Sequence, residues 1–96
     1  IDIFIATIGN VEREVTKALT SLRGSGFKVD FDIMNRNLSN QIKFADKLGA
    51  NYLLIIGERD LKEGNVTLRE LKSGSETKIS YNKFISSPSS HLTKVL

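Results

Sequence analysis

Gly49-Ala50-Asn51-Tyr52-Leu53-Leu54-Ile55-Ile56-Gly57-Glu58-Arg59-Asp60, followed by Gly64-Asn65-Val66-Thr67-Leu68-Arg69-Glu70-Leu71 and Ser73-Gly74-Ser75-Glu76, is the stretch that decides the architecture. Tyr52 to Ile56 is apolar throughout and short. That is the pattern of a central strand covered on both faces, with Gly57 releasing the chain at its C-terminal end. Glu58-Arg59-Asp60 reads as a charged turn. Val66 to Leu71 and Lys78 to Tyr81 then flank Ser73-Gly74-Ser75, a hairpin signal with a loop slightly longer than the tightest kind. Charge is thus crowded beside a core strand.

Upstream, Ile3-Phe4-Ile5-Ala6 is a second continuous apolar run, stopped by Thr7 and Gly9, and reads as another buried strand. Asn10 is placed to cap the next helix, Glu12 and Glu14 suit its positive first turn, and Val11, Val15, Ala18, Leu19 and Leu22 share one face. Gly24 and Gly26 stop it. Phe27, Val29, Phe31 and Ile33 alternate with Lys28, Asp30 and Asp32, the period of a half-buried strand. Asn35 to Ser39 is a polar connection that supplies helix caps; Leu38, Ile42, Ala45 and Leu48 then mark a helical face that Gly49 closes. Phe84, Ile85, Leu92, Val95 and Leu96 suggest a last helix, interrupted by Ser86-Ser87-Pro88-Ser89-Ser90, so the final twelve or so residues are the least legible. The element order is βαβαβββα: two right-handed crossovers build a parallel core, and the hairpin extends it to a five-stranded mixed sheet in an α/β domain.

Ninety-six residues make one domain, 1–96, large enough to bury its own core. With 40% hydrophobic and 26% charged residues the composition is that of a soluble globular protein. The longest apolar run is far too short to span a bilayer, and Ile1-Asp2-Ile3-Phe4-Ile5 has none of the marks of a signal peptide. The chain reads as a piece of a longer parent. There is no Cys, which excludes disulfides and thiolate metal sites and is compatible with the cytoplasm. A net charge of +3 favours an anionic partner, although the acidic residues are interspersed among the basic ones.

No catalytic constellation survives inspection. His91 stands alone in the Ser-rich tail, with no partner for a metal or nucleophile site. Gly24-Ser25-Gly26 ends a helix and precedes a strand, the reverse of a dinucleotide loop. Gly9-Asn10 does open a helix after a strand, so its N–H groups could meet a phosphate, but one Gly is a weak signal. A binding site is easier to argue. In open α/β sheets ligands lie beyond the C-terminal edges of the parallel strands, where the sequence places Asn35, Arg36 and Asn37 after the second strand and Glu58, Arg59 and Asp60 after the third. Single-stranded RNA bases are read by amides, carboxylates and guanidinium groups held close together. Glu58 or Asp60 can accept from the Watson–Crick edge of guanine, Arg69 can fork onto O6 and N7 or clamp a phosphate, and Gln41 and Lys43 stand near a helix start where one meets a base and the other a phosphate. The competing reading is a solvated salt-bridge network, Asp60 to Arg69 for instance.

Gly49-Ala50-Asn51-Tyr52 with its apolar strand, Gly57-Glu58-x-Asp60, Gly64-x-Val66-x-Leu68-Arg69, the Ser-Gly turn and the preceding Gln41-x-Lys43-x-Ala45-x-x-Leu48-Gly49 resemble the C-terminal anticodon-binding domain of class II aminoacyl-tRNA synthetases, the histidyl type most closely. The resemblance reaches to about Tyr81. It implies a five-stranded mixed sheet surrounded by three helices, a domain that holds the anticodon without catalysing anything itself. It further implies a parent histidine–tRNA ligase, homodimeric and cytoplasmic, that charges tRNA-His (anticodon GUG) with a separate catalytic domain using ATP and Mg²⁺. The anticodon-reading Asn, acid and Arg of the threonyl relative fall on Asn35, Asp60 and Arg69, with Asp60 in place of the more usual Glu. The alternatives are the same domain from a threonyl, prolyl or glycyl enzyme, or a repurposed copy serving as a tRNA sensor or protein-interaction module.

Overall fold

The computed structural model describes residues 1–31 and 37–92. Five strands form one mixed sheet in the spatial order β2-β1-β3-β4-β5: β1 Ile3–Ile8, β2 Val29–Phe31, β3 Tyr52–Gly57, β4 Asn65–Glu70 and β5 Glu76–Ser80. The helices are α1 Glu12–Gly24, α2 Leu38–Lys47, α3 Glu58–Lys62 and α4 Tyr81–Ser86, with a short 3-10 turn at Pro88–Ser90. β2, β1 and β3 are parallel, as the two crossovers require, while β4 runs antiparallel to β3 and β5 to β4.

Because side chains alternate across a sheet, each strand feeds two cores. Ile3 and Ile5 of β1, Leu54 and Ile56 of β3, and Val66 and Leu68 of β4 pack against Val15, Ala18 and Leu22 of α1 and Tyr81 and Phe84 of α4. On the opposite face Phe4, Ala6, Leu53 and Ile55 meet Ala45 of α2, and the Phe4 ring stands edge-on to Phe44 with centroids 5.7 Å apart. Full burial of a side chain such as Phe4 or Leu53 contributes about 1.5–3 kcal/mol. β1 and β3 need continuous apolar runs because both of their faces are covered.

Three local expectations change. The charged turn after β3 is a helix, α3, so among the described residues four α-helices rather than the expected three accompany the sheet. Val11, not Asn10, holds the cap position before α1, and no side chain caps the helix; the Asn10 N–H instead points at Glu58 Oε2, 3.4 Å away. Tyr81 does not end the last strand but starts α4, because the Ser80 hydroxyl accepts from the Lys83 N–H and turns the chain into a helix. Other signals act as read: Gly26 and Gly49 take left-handed φ of 89° and 75° after α1 and α2, and Asn37 caps α2 by accepting from the Asn40 N–H at 2.9 Å. The expected strand residues Asp32 and Ile33, and Val95 and Leu96 of the expected last helix, lie outside the described residues.

Candidate nucleic-acid interface

Two polar regions are continuous with each other. The first is a shallow groove at the C-terminal edge of β1 and β3, lined by Ile8, Gly9, Gly57 and the α3 residues Glu58, Arg59, Asp60 and Lys62. Gly57 ends β3 with an extended φ of −108° and stands at the cap position of α3, whose first residues Glu58 and Arg59 are exposed. Opposite it, Gly9 has φ +84°, and a Cβ there would stand 2.9 Å from Glu58 Cβ, so only glycine lets β1 and α3 approach this closely. Ile8 adds apolar surface at this edge, 48% exposed.

The second region lies on the hairpin. Val66 and Leu68 face α1 and α4, so Thr67 and Arg69 face the other way, and their cross-strand partners Lys78 and Glu76 share that face. Arg69 Nη1 donates to Glu76 Oε1 at 3.2 Å, and Lys78 Nζ pairs with Asp60 Oδ1 at 3.6 Å. The Lys78 bridge connects hairpin to groove, giving a strip that runs Asp60, Lys78, Arg69, Glu76. All four groups keep solvent contact, so each pair contributes at most about 1 kcal/mol and can exchange for a ligand.

The strip departs from the expected gathering at the sheet edge. Glu58 and Asp60 are there, but Arg69 pairs with Leu53, four residues before Gly57, and so lies about 13 Å back along the strand. Hence the anticipated Asp60–Arg69 ion pair is replaced by two others. Lys43 is exposed on α2. Gln41 corrects its assignment as a base contact: it is 1% exposed, its Oε1 accepts from the Thr7 N–H at 2.8 Å and its Nε2 donates to the Thr7 C=O at 2.9 Å. Among the described residues β2 pairs with β1 from Ile3 to Ile5, and the Gln41 amide bonds the backbone of Thr7 two residues further on. Asn37 is likewise occupied by capping. Asn35 and Arg36 lie outside the described residues. Sequence reasoning missed Glu76 and Lys78, because counting outward from the Ser73-Gly74-Ser75 turn sets Lys72 opposite Glu76, whereas the observed register leaves six residues between Arg69 and its partner Glu76.

Among the described residues no three His, Asp or Glu side chains are grouped to hold a metal, and no helix is long and apolar enough to cross a membrane. His91 lies against Phe84, ring centroids 5.7 Å apart.

A mixed α/β sheet with one hairpin face left polar defines a small binding domain, and the family model described as "Anticodon binding domain" matches residues 2–87, so the chain belongs to that family. It is 43% identical over 84 residues to a histidine–tRNA ligase of Thermoanaerobacter, a match covering 86% of this chain and 20% of that protein. Among solved structures, apo histidyl-tRNA synthetase of S. aureus superposes with a TM-score of 0.81 at 31% identity, over 90% of this chain and 25% of that one. A prolyl-tRNA synthetase of Cryptosporidium parvum gives a TM-score of 0.82 at 14% identity over 95% of this chain and 21% of that one, which establishes the shared fold alone. The chain spans about a fifth of the length of the curated relatives it matches.

Proposed function

We propose that this chain is the anticodon-reading part of a histidine–tRNA ligase and holds the anticodon loop of tRNA-His against the α3 groove and the polar face of the hairpin. The observation that carries this is the strip of Asp60, Lys78, Arg69 and Glu76, which offers partly exposed carboxylates and cations on one sheet face of a domain from the anticodon-binding family. Asp60 and Glu58 accept from base N–H groups, Arg69 donates in a fork, and Lys43 and Lys78 meet phosphates. Asn35 and Arg36, which precede α2 in the sequence, are assigned to the same interface. Gln41 acts from behind, by holding α2 on β1.

The histidyl assignment is supported by the relatives, which are histidine–tRNA ligases at up to 43% identity. The longer protein then ligates histidine to tRNA-His as a cytoplasmic homodimer, with ATP and Mg²⁺ bound in a catalytic domain outside this segment. The test is an NMR titration of the labelled chain with an anticodon stem-loop carrying GUG beside the same hairpin with a changed loop. Shifts at Glu58, Asp60 and Arg69 selective for GUG are expected; equal shifts for both hairpins would replace anticodon reading by unspecific RNA binding.

A further inference from the structure

Arg69 is only half used. One Nη donates to Glu76, while Nε is buried and has no hydrogen-bond partner. A guanidinium is a planar fork suited to two acceptors at once, on a phosphate or on the O6/N7 edge of guanine, so a single contact to one carboxylate oxygen is an incomplete arrangement. Glu76 is 48% exposed and sits on the edge strand, where it is free to swing into water. Lys78, the other cation on this face, turns to Asp60, so the charge Glu76 neutralises is that of Arg69.

Building on the RNA-binding reading above, we propose that Glu76 is a counter-charge gate: it holds Arg69 in the free domain and must release it before Arg69 takes a two-acceptor edge of the RNA. Glu76 makes no contact with the ligand in this scheme. It sets the affinity by competing for the same guanidinium, and it raises selectivity because only a ligand offering a paired acceptor displaces it. The exchange needs no backbone movement, since Arg69 and Glu76 are fixed opposite each other by the β4–β5 register.

A double-mutant cycle tests this, with the 96-residue chain titrated against the GUG stem-loop and melting temperatures recorded for every variant. Glu76→Gln should tighten binding roughly two- to fivefold, the range open to an exposed ion pair. In the Arg69→Ala background the same substitution should change nothing. The Arg69 Nε–H resonance should also shift on RNA addition, in Glu76→Gln at lower RNA concentration than in the parent. Tightening that persists without Arg69 would overturn the gate in favour of plain repulsion between Glu76 and the phosphates. Weaker binding by Glu76→Gln would overturn it by making Glu76 an orienting partner of Arg69. If Arg69→Ala itself binds as well as the parent, the underlying role of Arg69 fails, and that result is distinct from failure of the gate.

Discussion

The two halves of the sheet are built to different rules. β1 and β3 have both faces covered, by α1 on one side and α2 on the other, and most of their residues are buried. Among the described residues, β4 and β5 are covered on one face, by α1 and α4 with Leu61 of α3; their other face carries a buried Thr67 and the partly exposed Arg69, Glu76 and Lys78, and none of the buried residues of the α2-side core comes from these two strands. The parallel half therefore spends its polar groups on holding itself together, as Gln41 does, while the hairpin keeps its polar groups where a partner can reach them. Substitutions in the first half should register as loss of fold, and those on the hairpin face as loss of binding.

Gln41→Leu should have the largest effect. It fits the helix and the apolar surroundings but leaves the Thr7 N–H and C=O without the bonds the amide supplied. With about 1–3 kcal/mol lost for each buried unpaired group, a destabilisation of about 2–4 kcal/mol is expected in urea unfolding. A change below about 1 kcal/mol would mean that Gln41 is not part of the framework.

Gly9→Ala should cost about 1–3 kcal/mol, from the left-handed φ and from the collision with Glu58. Gly57 is the control. Its φ is extended and a Cβ there would meet Ile8 at an ordinary 3.9 Å. Gly57→Ala should therefore stay within about 0.5 kcal/mol of the parent. Equal losses at the two glycines would show that the edge is tight on both strands rather than at the β1–α3 contact.

These two positions show what the sequence reveals and what it hides. Tyr52 to Ile56 and Ile3 to Ala6 announce two-sided burial, so the parallel half was legible from apolar runs alone. α3 was not, because a five-residue helix is too short to show a period and Glu58-Arg59-Asp60 looks like any charged turn. Glu58 and Asp60 followed from the rule that ligands meet the C-terminal ends of parallel strands. That rule says nothing of an antiparallel β4, which runs away from the edge and carries Arg69 with it. Gln41 had a readable signal, since it is three residues after Leu38 and four before Ala45, on the inward stripe of α2.

Arg69→Ala brings the comparison to the hairpin. Arg69 is partly exposed and its one ion pair is a surface pair, so stability should change by no more than about 0.5 kcal/mol. Binding to the GUG stem-loop should weaken by about 1–3 kcal/mol, with less loss for a hairpin of changed loop. Equal weakening for both loops would assign Arg69 to a phosphate rather than a base. A fall in melting temperature matching the loss of binding would end the division between framework and interface at this residue.

The smallest effect concerns the tie between the halves. Tyr81 begins α4, which backs the hairpin, and its hydroxyl donates to the Glu14 C=O of α1 at 2.8 Å. Burial, helped by the Glu14 carboxylate, raises the phenol above its ordinary value of 10.0. The unfolded chain then loses this proton first as pH rises. The stabilisation is complete below the unfolded value and is lost as pH climbs from about 10 through the raised folded value. Tyr81→Phe removes the donor and should cost about 1 kcal/mol at neutral pH. It should also flatten the alkaline fall in stability, so that the difference between variant and parent narrows above about pH 10. Tyr52 is present in both proteins and cancels in that difference. Curves that stay parallel through the alkaline range would show that the phenol does not couple its ionisation to folding, and that α4 is held on α1 by the packing of Phe84 and the Ser21 hydroxyl bond to the Ile85 C=O instead.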